Sequence, residues 1–277
     1  MILADALAGY EKELGAVGEE PEALSFVYRG LKHWDLTQFV LHLRQEVSEE
    51  DEKLLSSIFN QLKAHKPAQY ILGFEDFHGL RFQVDERVLI PRPETEELVK
   101  LILAENPKTE LKVLDIGTGS GAIAVSLKES CPLWQVTASD LSVDALELAR
   151  ENAKLNQVDI SFIQSDVFEV ISDSFDIIVS NPPYISENDK DEVGLNVLAS
   201  EPKMALFADE DGLAIYRQII ERAAKHLSPQ GKLYFEIGYK QGSDLKKLLS
   251  LHFPDKCVRV LKDQFGQDRM VVMDDGN

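Results

Sequence analysis

Two cysteines in 277 residues, Cys131 and Cys257, are too few and too far apart for a disulfide framework or a thiolate metal site. They read as ordinary reduced thiols, which suits a reducing compartment. No apolar run approaches the ~20 residues that span a membrane. The opening Met1-Ile-Leu-Ala-Asp5 lacks the basic stretch of a signal peptide. A cytoplasmic protein with no membrane partner is the expectation. The six histidines (His33, His42, His65, His78, His226 and His252) are scattered without ligand spacing, so no metal is expected. Internal repeats and low-complexity linkers are missing too. Positive charge is also scarce. The chain has 29 Lys and Arg against 48 Asp and Glu, a net charge of −19. Residues 1–84 are no exception, with eight basic and fourteen acidic side chains. A duplex-binding protein draws much of its affinity from Lys and Arg on phosphates, so a nucleic-acid substrate is not expected. A protein substrate with a basic docking face would suit this field, although solubility alone explains the acidity as well.

What is present divides the chain by period. The 44% hydrophobic content can fill two cores, and the length suits one large domain plus one small one. Apolar residues recur at helical spacing over residues 2–15, 23–31 and 36–47. Ser48 before Glu49-Glu-Asp-Glu52 is a helix start with an acidic first turn, and that helix should run to His65. Together these predict a small helical bundle over residues 1–73. Alternation around His78-Gly79 and Asp85-Glu86 predicts a β-hairpin connector within 74–92. From residue 93 to 277 helix and strand alternate. Strands are expected at 111–116, 134–139, 159–164, 175–180, 231–237 and 269–273. Helices are expected at 95–105, 121–129, 143–155 and 212–227. That order is α/β and predicts a doubly wound, mostly parallel sheet covered on both faces. Ligands should lie at the carboxyl ends of its strands, where Gly117, Asp140, Asp166 and Asn181 all fall.

Asn181-Pro182-Pro183-Tyr184 follows the apolar run Phe175 to Ser180 directly. Proline after Asn181 disfavours the α region there and extends the chain. Pro182 and Pro183 fix their own φ and have no N–H, so nearby carbonyls are stiff and lack local partners. The Asn181 side-chain oxygen and a backbone C=O then form a planar slot with two inward acceptors, beside the flat ring of Tyr184. Such a slot holds both N–H bonds of an NH2 group on a π system, either a base amine or a carboxamide. The plainer reading is a proline-rich turn.

Leu111 to Ala122 is a strand running into the turn Gly117-Thr118-Gly119-Ser120-Gly121. Alternate glycines let backbone approach a ligand closely. Asp140 ends the next strand at the spacing where an acid meets a ribose. Gly117, Gly119 and Ala122 also fit a dinucleotide pattern, so this turn alone is ambiguous. A nicotinamide reading leaves Asn181 to Tyr184 unexplained, whereas S-adenosylmethionine accounts for both motifs.

With these motifs the chain resembles an amino-type class I methyltransferase. Pro67-Ala-Gln-Tyr-Ile-Leu-Gly73, Phe77-His-Gly-Leu-Arg-Phe82, Ile90-Pro-Arg-Pro-Glu-Thr-Glu96, Glu201-Pro202, Glu236-Ile-Gly238 and Asp263 to Arg269 narrow that likeness. They are similar to the glutamine N5-methyltransferases of peptide chain release factors (the PrmC/HemK family). The resemblance runs from about Lys66 to the C-terminus. It implies a class I methyltransferase domain with a helical N-terminal domain that docks substrate. The implied reaction moves a methyl group from S-adenosylmethionine to the side-chain nitrogen of the glutamine in the GGQ motif of class 1 release factors, in translation termination. It assigns Gly117, Thr118, Gly119, Ser120 and Gly121 to the amino-acid portion of the cofactor and Asp140 to its ribose. Asp166, Val167 and Phe168 would border the adenine, Phe168 compensating for the smaller side chain at Val167. For Asp166 a turn or cap role is the alternative. Asn181, Pro182, Pro183 and Tyr184 would hold the substrate amide, with Asn181, Pro182 and Tyr184 acting in the reaction and Asn181 also facing the cofactor. Arg92, Glu94 and Glu96 would order the cofactor pocket, or simply start a helix after Pro93. Asp115 reads as support for the turn. A monomer is expected.

Two other readings stay open at this point. A nucleic-acid methyltransferase acting on adenine N6 or guanine N2 uses the same Asn-Pro-Pro-Tyr logic, but the charge opposes it. A module that binds cofactor without chemistry is opposed by the intact Asn181 and glycine turn.

Overall fold

The computed structural model describes residues 1–107 and 109–276, so Asn277, the end of the expected catalytic domain, lies outside the described residues. Contacts divide the chain into two units: Met1–Glu75 with Val193–Glu201, and Asp76–Glu192 with everything from Pro202.

The first unit is helical: α1 (Leu3–Ala16), α2 (Ala23–Leu31), α3 (Leu36–His42), α4 (Glu49–Lys63) and α5 (Ala68–Leu72). Local chemistry sets the boundaries. Asp35 and Gln38 close a reciprocal capping box on α3, and Ser48 Oγ accepts from Asp51 N at 3.1 Å to start α4. Gly73, in the left-handed region, ends α5. Leu3, Leu7, Leu14, Leu24, Val27, Leu55, Ile58 and Leu62 form the core. Helix α3 is shorter than the periodicity through Val47 predicts. After His42 the backbone turns to satisfy the N-terminus of α1 instead: Ala4 N donates to Leu43 O at 2.9 Å and Leu3 N to Gln45 O at 3.0 Å.

The chain passes into the second unit within the hairpin β1 (Phe74–Phe77) and β2 (Leu80–Gln83). There follow α6 (Pro93–Glu105), β3 (Lys112–Ile116), α7 (Ala122–Ser130), β4 (Gln135–Asp140), α8 (Val143–Leu155), β5 (Ser161–Gln164) and β6 (Phe175–Ser180). A 3-10 turn (Glu187–Glu192) precedes α9 (Leu195–Ser200), which belongs to the first unit. The short α10 (Lys203–Leu206) and α11 (Asp209–Gly212) come next. The chain closes with α12 (Ala214–Ala223), β7 (Leu227–Glu236), α13 (Gly242–His252), β8 (Cys257–Lys262) and β9 (Asp268–Asp274). Helix α6 begins with Pro at its first turn and Glu94 and Glu96 behind it, and Ser142 Oγ caps α8 by accepting from Ala145 N at 3.2 Å.

The strand order is β5-β4-β3-β6-β7-β9-β8, parallel except for the two pairings of β9. Successive strand residues alternate between two cores. Val113, Ile177, Tyr234 and Val272 face one, with Leu98, Ile102 and Ile123 of the helices. Leu114, Ile178, Leu233 and Val271 face the other, with Ile219, Leu245 and Leu249. A sheet buried on both faces explains why its strands read as nearly continuous apolar runs. Helix α13 and strand β8 are additions to the elements the sequence pattern predicts. Chain order reverses at β3 and β6, so a crevice opens where both end.

Candidate functional site

That crevice is a cleft of about 1120 Å³, counting its open mouth, and every residue lining it belongs to the second unit. Its floor is the turn after β3. Gly117 N and Thr118 N both donate to Ser139 O, at 2.8 and 2.9 Å, which folds the turn across the end of β4. Gly117 and Gly119 have φ of +71° and +54°, and a Cβ built on either meets no atom within 4 Å. The space above the turn is open, and backbone can touch whatever lies there.

Asp140 closes one side. Its two oxygens accept from Gly119 N and Ser142 N, each at 2.9 Å, so the acid both shapes the turn and keeps lone pairs for a ligand hydroxyl. Burial pushes its carboxyl up, against the N–H groups of Ser142, Gly119 and Leu141. Below the floor, buried Asp115 accepts from Thr118 Oγ1 at 2.6 Å. Burial, with the Asp140 charge adding, lifts the Asp115 carboxyl to about 7.

The opposite wall is Asn181-Pro182-Pro183. Ser180 Oγ ties the end of β6 to Ile116 O at 2.6 Å. Beyond the motif, Ile185 N donates to Leu206 O and Ala208 N to Ile185 O, both at 3.0 Å, so the loop is pinned at each end. Asn181 Nδ2 donates to Thr95 Oγ1 at 3.3 Å. Thr95 in turn donates to Glu236 Oε2 at 2.6 Å.

The structure brings Gly117, Thr118, Gly119, Ser120, Asp140, Asp166, Val167, Asn181, Pro182 and Pro183 to one cleft. Arg92 and Thr95 line it as well. Three expected site residues stand back. Gly121, with φ +82°, is the N-cap of α7, and a Cβ there would come within 3.3 Å of Ala149 Cβ. The Phe168 ring is outside the cleft lining. Val167 takes the left-handed region, φ +50°, which turns the next ring inward to stack on His226 at 4.2 Å. A β-branched residue rarely adopts that φ, and such strain collects at ligand sites. Tyr184 is half-buried beside Gly238, and burial, with the Glu236 charge adding, raises its hydroxyl to about 12. Glu96 is also away from the cleft, accepting from His78 N at 2.8 Å and Lys100 Nζ at 2.9 Å.

Sequence reasoning missed Glu236 as part of the site. Glu236 ends β7, whose register sets Phe235 opposite Ser180. Residues one step beyond that pair, Asn181 and Glu236, are therefore neighbours. The position of Glu236 at a strand end was the available signal.

Among known families, residues 95–208 match the methyltransferase small domain and residues 5–73 the PrmC N-terminal domain. The chain is 61% identical to the release factor glutamine methyltransferase of Streptococcus pneumoniae over 277 residues, covering 100% of this chain and 99% of that protein. It is 50% identical to the protein of that description from Lactococcus lactis, over 94% of this chain and 96% of that one. In fold it is similar to a methyltransferase from Pyrococcus furiosus, at TM-score 0.54, 21% identity, and coverage of 72% and 90%. The Thermus thermophilus 16S rRNA N2 G1207 methyltransferase, solved with AdoMet and guanosine, gives TM-score 0.52 at 18% identity, covering 73% of this chain and 49% of that one. Among the described residues, no helix is long and apolar enough to cross a membrane.

Proposed function

The chain belongs to the release factor glutamine methyltransferases, and on that premise we propose that its cleft transfers a methyl group from S-adenosylmethionine to the side-chain nitrogen of a glutamine in class 1 release factors. The observation that carries this reading is the meeting of Asn181-Pro182-Pro183 with the open glycine turn and Asp140 in one cleft. The room above Gly117 and Gly119 and the spare acceptor capacity of Asp140 fit the cofactor. Gly117 to Ser120 would hold its amino-acid portion, Asp140 its ribose, and Asp166 with Val167 its base. When bound, it supplies a methyl group already activated on a sulfonium.

The chain's own task is to present a poor nucleophile. A carboxamide nitrogen delocalises its lone pair into its carbonyl. Two acceptors, Asn181 Oδ1 and the Pro182 carbonyl, would take both of its N–H bonds and aim the lone pair into the cleft. The same acceptors stabilise positive charge as it develops on nitrogen, so positioning and electrostatics do the work. Tyr184, neutral at working pH and placed beside Gly238, would flank the bound amide. Asn181 cannot act as a base at neutral pH, so the proton is released to water after transfer.

The first unit serves as a docking element for the release factor. The reaction then takes place in the cytoplasm, where translation terminates. Incubation with isotopically labelled S-adenosylmethionine and either a class 1 release factor or duplex DNA tests the reading. Label in the release factor alone supports it; label in DNA supports the nucleic-acid alternative.

A further inference from the structure

The slot works only if the Asn181 amide presents oxygen, not nitrogen, to the substrate. An asparagine amide is nearly symmetric in shape, so something must fix which end faces the cleft. The structure contains such a device behind the slot. Thr95 is the third residue of α6, and its side chain is buried. Its hydroxyl donates to Glu236 Oε2 at 2.6 Å and its oxygen receives Asn181 Nδ2 at 3.3 Å. We propose that Thr95 and Glu236 form a positioning relay that locks the Asn181 amide with Oδ1 toward the substrate nitrogen; this rests on the methyl-transfer reading of the cleft.

The polarity follows from the inventory of protons. An ionised carboxylate only accepts, and a threonine hydroxyl has one proton to give. With that proton committed to Glu236, Thr95 Oγ1 meets Asn181 only as an acceptor. The NH2 end of Asn181 is the one end that can face it. A flipped amide would set oxygen against oxygen with no proton between them. Protonation of Glu236 removes the constraint, because the carboxyl could then donate to Thr95 and free the threonine proton for a flipped Asn181.

Glu236 is placed to switch near neutrality. Burial raises its carboxyl to about 7, opposed by the Thr95 hydroxyl, the Arg269 charge and the Asn181 amide, and assisted by Glu94. Tyr184 and Tyr216 also face it, and Tyr216 OH donates to the Glu236 backbone carbonyl at 2.6 Å. Both tyrosines stay neutral in this range, as burial raises their hydroxyls. Glu236 meets the Asn181 amide as well as the Thr95 hydroxyl, so both Thr95 and Glu236 are positioning residues that act through Asn181.

Two measurements test the relay. In the first, methylation of a release factor is followed for the whole enzyme. Thr95→Val keeps the shape of the side chain and deletes the hydroxyl. It should lower kcat by roughly 10–100-fold while both KM values move less than about threefold, the pattern of a lost supporting hydrogen bond. Thr95→Ser should return kcat to within about threefold of wild type. Wild-type kcat should fall as pH drops through about 7, and Glu236→Gln should flatten that limb. The second measurement needs no turnover. In enzyme labelled with 15N-asparagine, the Asn181 side-chain NH2 signal should shift as pH crosses about 7 and stop shifting in Glu236→Gln. Unchanged kcat in Thr95→Val, or an Asn181 signal indifferent to both pH and Glu236→Gln, would overturn the relay. A wild-type enzyme that methylates no release factor would instead overturn the functional reading, and the NH2 signal would still decide the relay.

Discussion

Gln241 grips the backbone of Tyr184. Its Nε2 donates to Tyr184 O at 3.0 Å while its Oε1 accepts from Gly238 N, also at 3.0 Å. One side chain thereby ties the last residue of the slot to the loop after β7. The fit is tight. A Cβ on Gly212 would lie 2.0 Å from Tyr184 O and 2.6 Å from Gln241 Nε2, and Gly212 has φ +79°.

Gly212→Ala should therefore lower both stability and turnover. Left-handed φ alone costs about 1–2 kcal/mol, and the collision with a pinned carbonyl adds to it. Gly266→Ala is the control, since φ there is +81° but nothing lies within 4 Å. Urea unfolding of the two variants, with turnover measured alongside, checks this. Equal losses would show that the Tyr184 carbonyl is not held as described.

Much of this site is legible in the sequence because strand ends are legible. Glycines at 117 and 119 and acids or amides at 140, 166 and 181 each follow an apolar run, and parallel topology gathers such positions on one edge. What lies behind the edge is much less legible, with the strand-end position of Glu236 as its one signal. Thr95, Glu236 and Gln241 come from three elements far apart in the chain, and only register and helix placement join them. The direction of the Phe168 ring is set by one backbone angle, at Val167, which no sequence pattern announces. The early end of α3 comes from hydrogen bonds to residues about forty positions earlier. Val193–Glu201 joins the helical unit through contacts such as Ser200 Oγ to His65 O at 3.1 Å, which no local pattern announces.

Asp140→Ala should weaken S-adenosylmethionine binding by about 1–3 kcal/mol, through lost ribose contacts and a loosened turn. Calorimetry reads this directly. Unchanged affinity would remove Asp140 from the site.

Stability should carry the mark of Asp115. An acid whose carboxyl is raised on folding contributes stability fully below its unfolded value. That contribution fades as pH rises through the folded value, here from about 4 to about 7. Asp115→Asn has no charge to bury. The stability difference, variant minus wild type, should therefore shift in the variant's favour between pH 5 and pH 8. Urea midpoints at the two pH values check the sign, and a constant difference would show that Asp115 ionises freely.

The docking role proposed for the first unit predicts a surface dependence. Leu36, Val40 and Leu41 on α3 are 63%, 56% and 67% exposed, and α3 buries none of its residues. A docking face on this helix would use these side chains. Leu36→Glu with Leu41→Glu should raise KM for the release factor about tenfold and leave cofactor binding alone. Unchanged KM would place docking elsewhere.

The most direct test of the central claim is the fate of the transferred carbon. Release factor methylated with 14C-labelled S-adenosylmethionine is hydrolysed in acid, which cleaves a side-chain amide but not a methylated lysine or arginine. Labelled methylamine should be released from the wild-type reaction. With Asn181→Ala its single-turnover formation should be slower by roughly 10²–10³-fold, the scale of losing one group that stabilises developing charge. Label that stays on acid-stable residues, or an Asn181→Ala rate equal to wild type, would contradict the account.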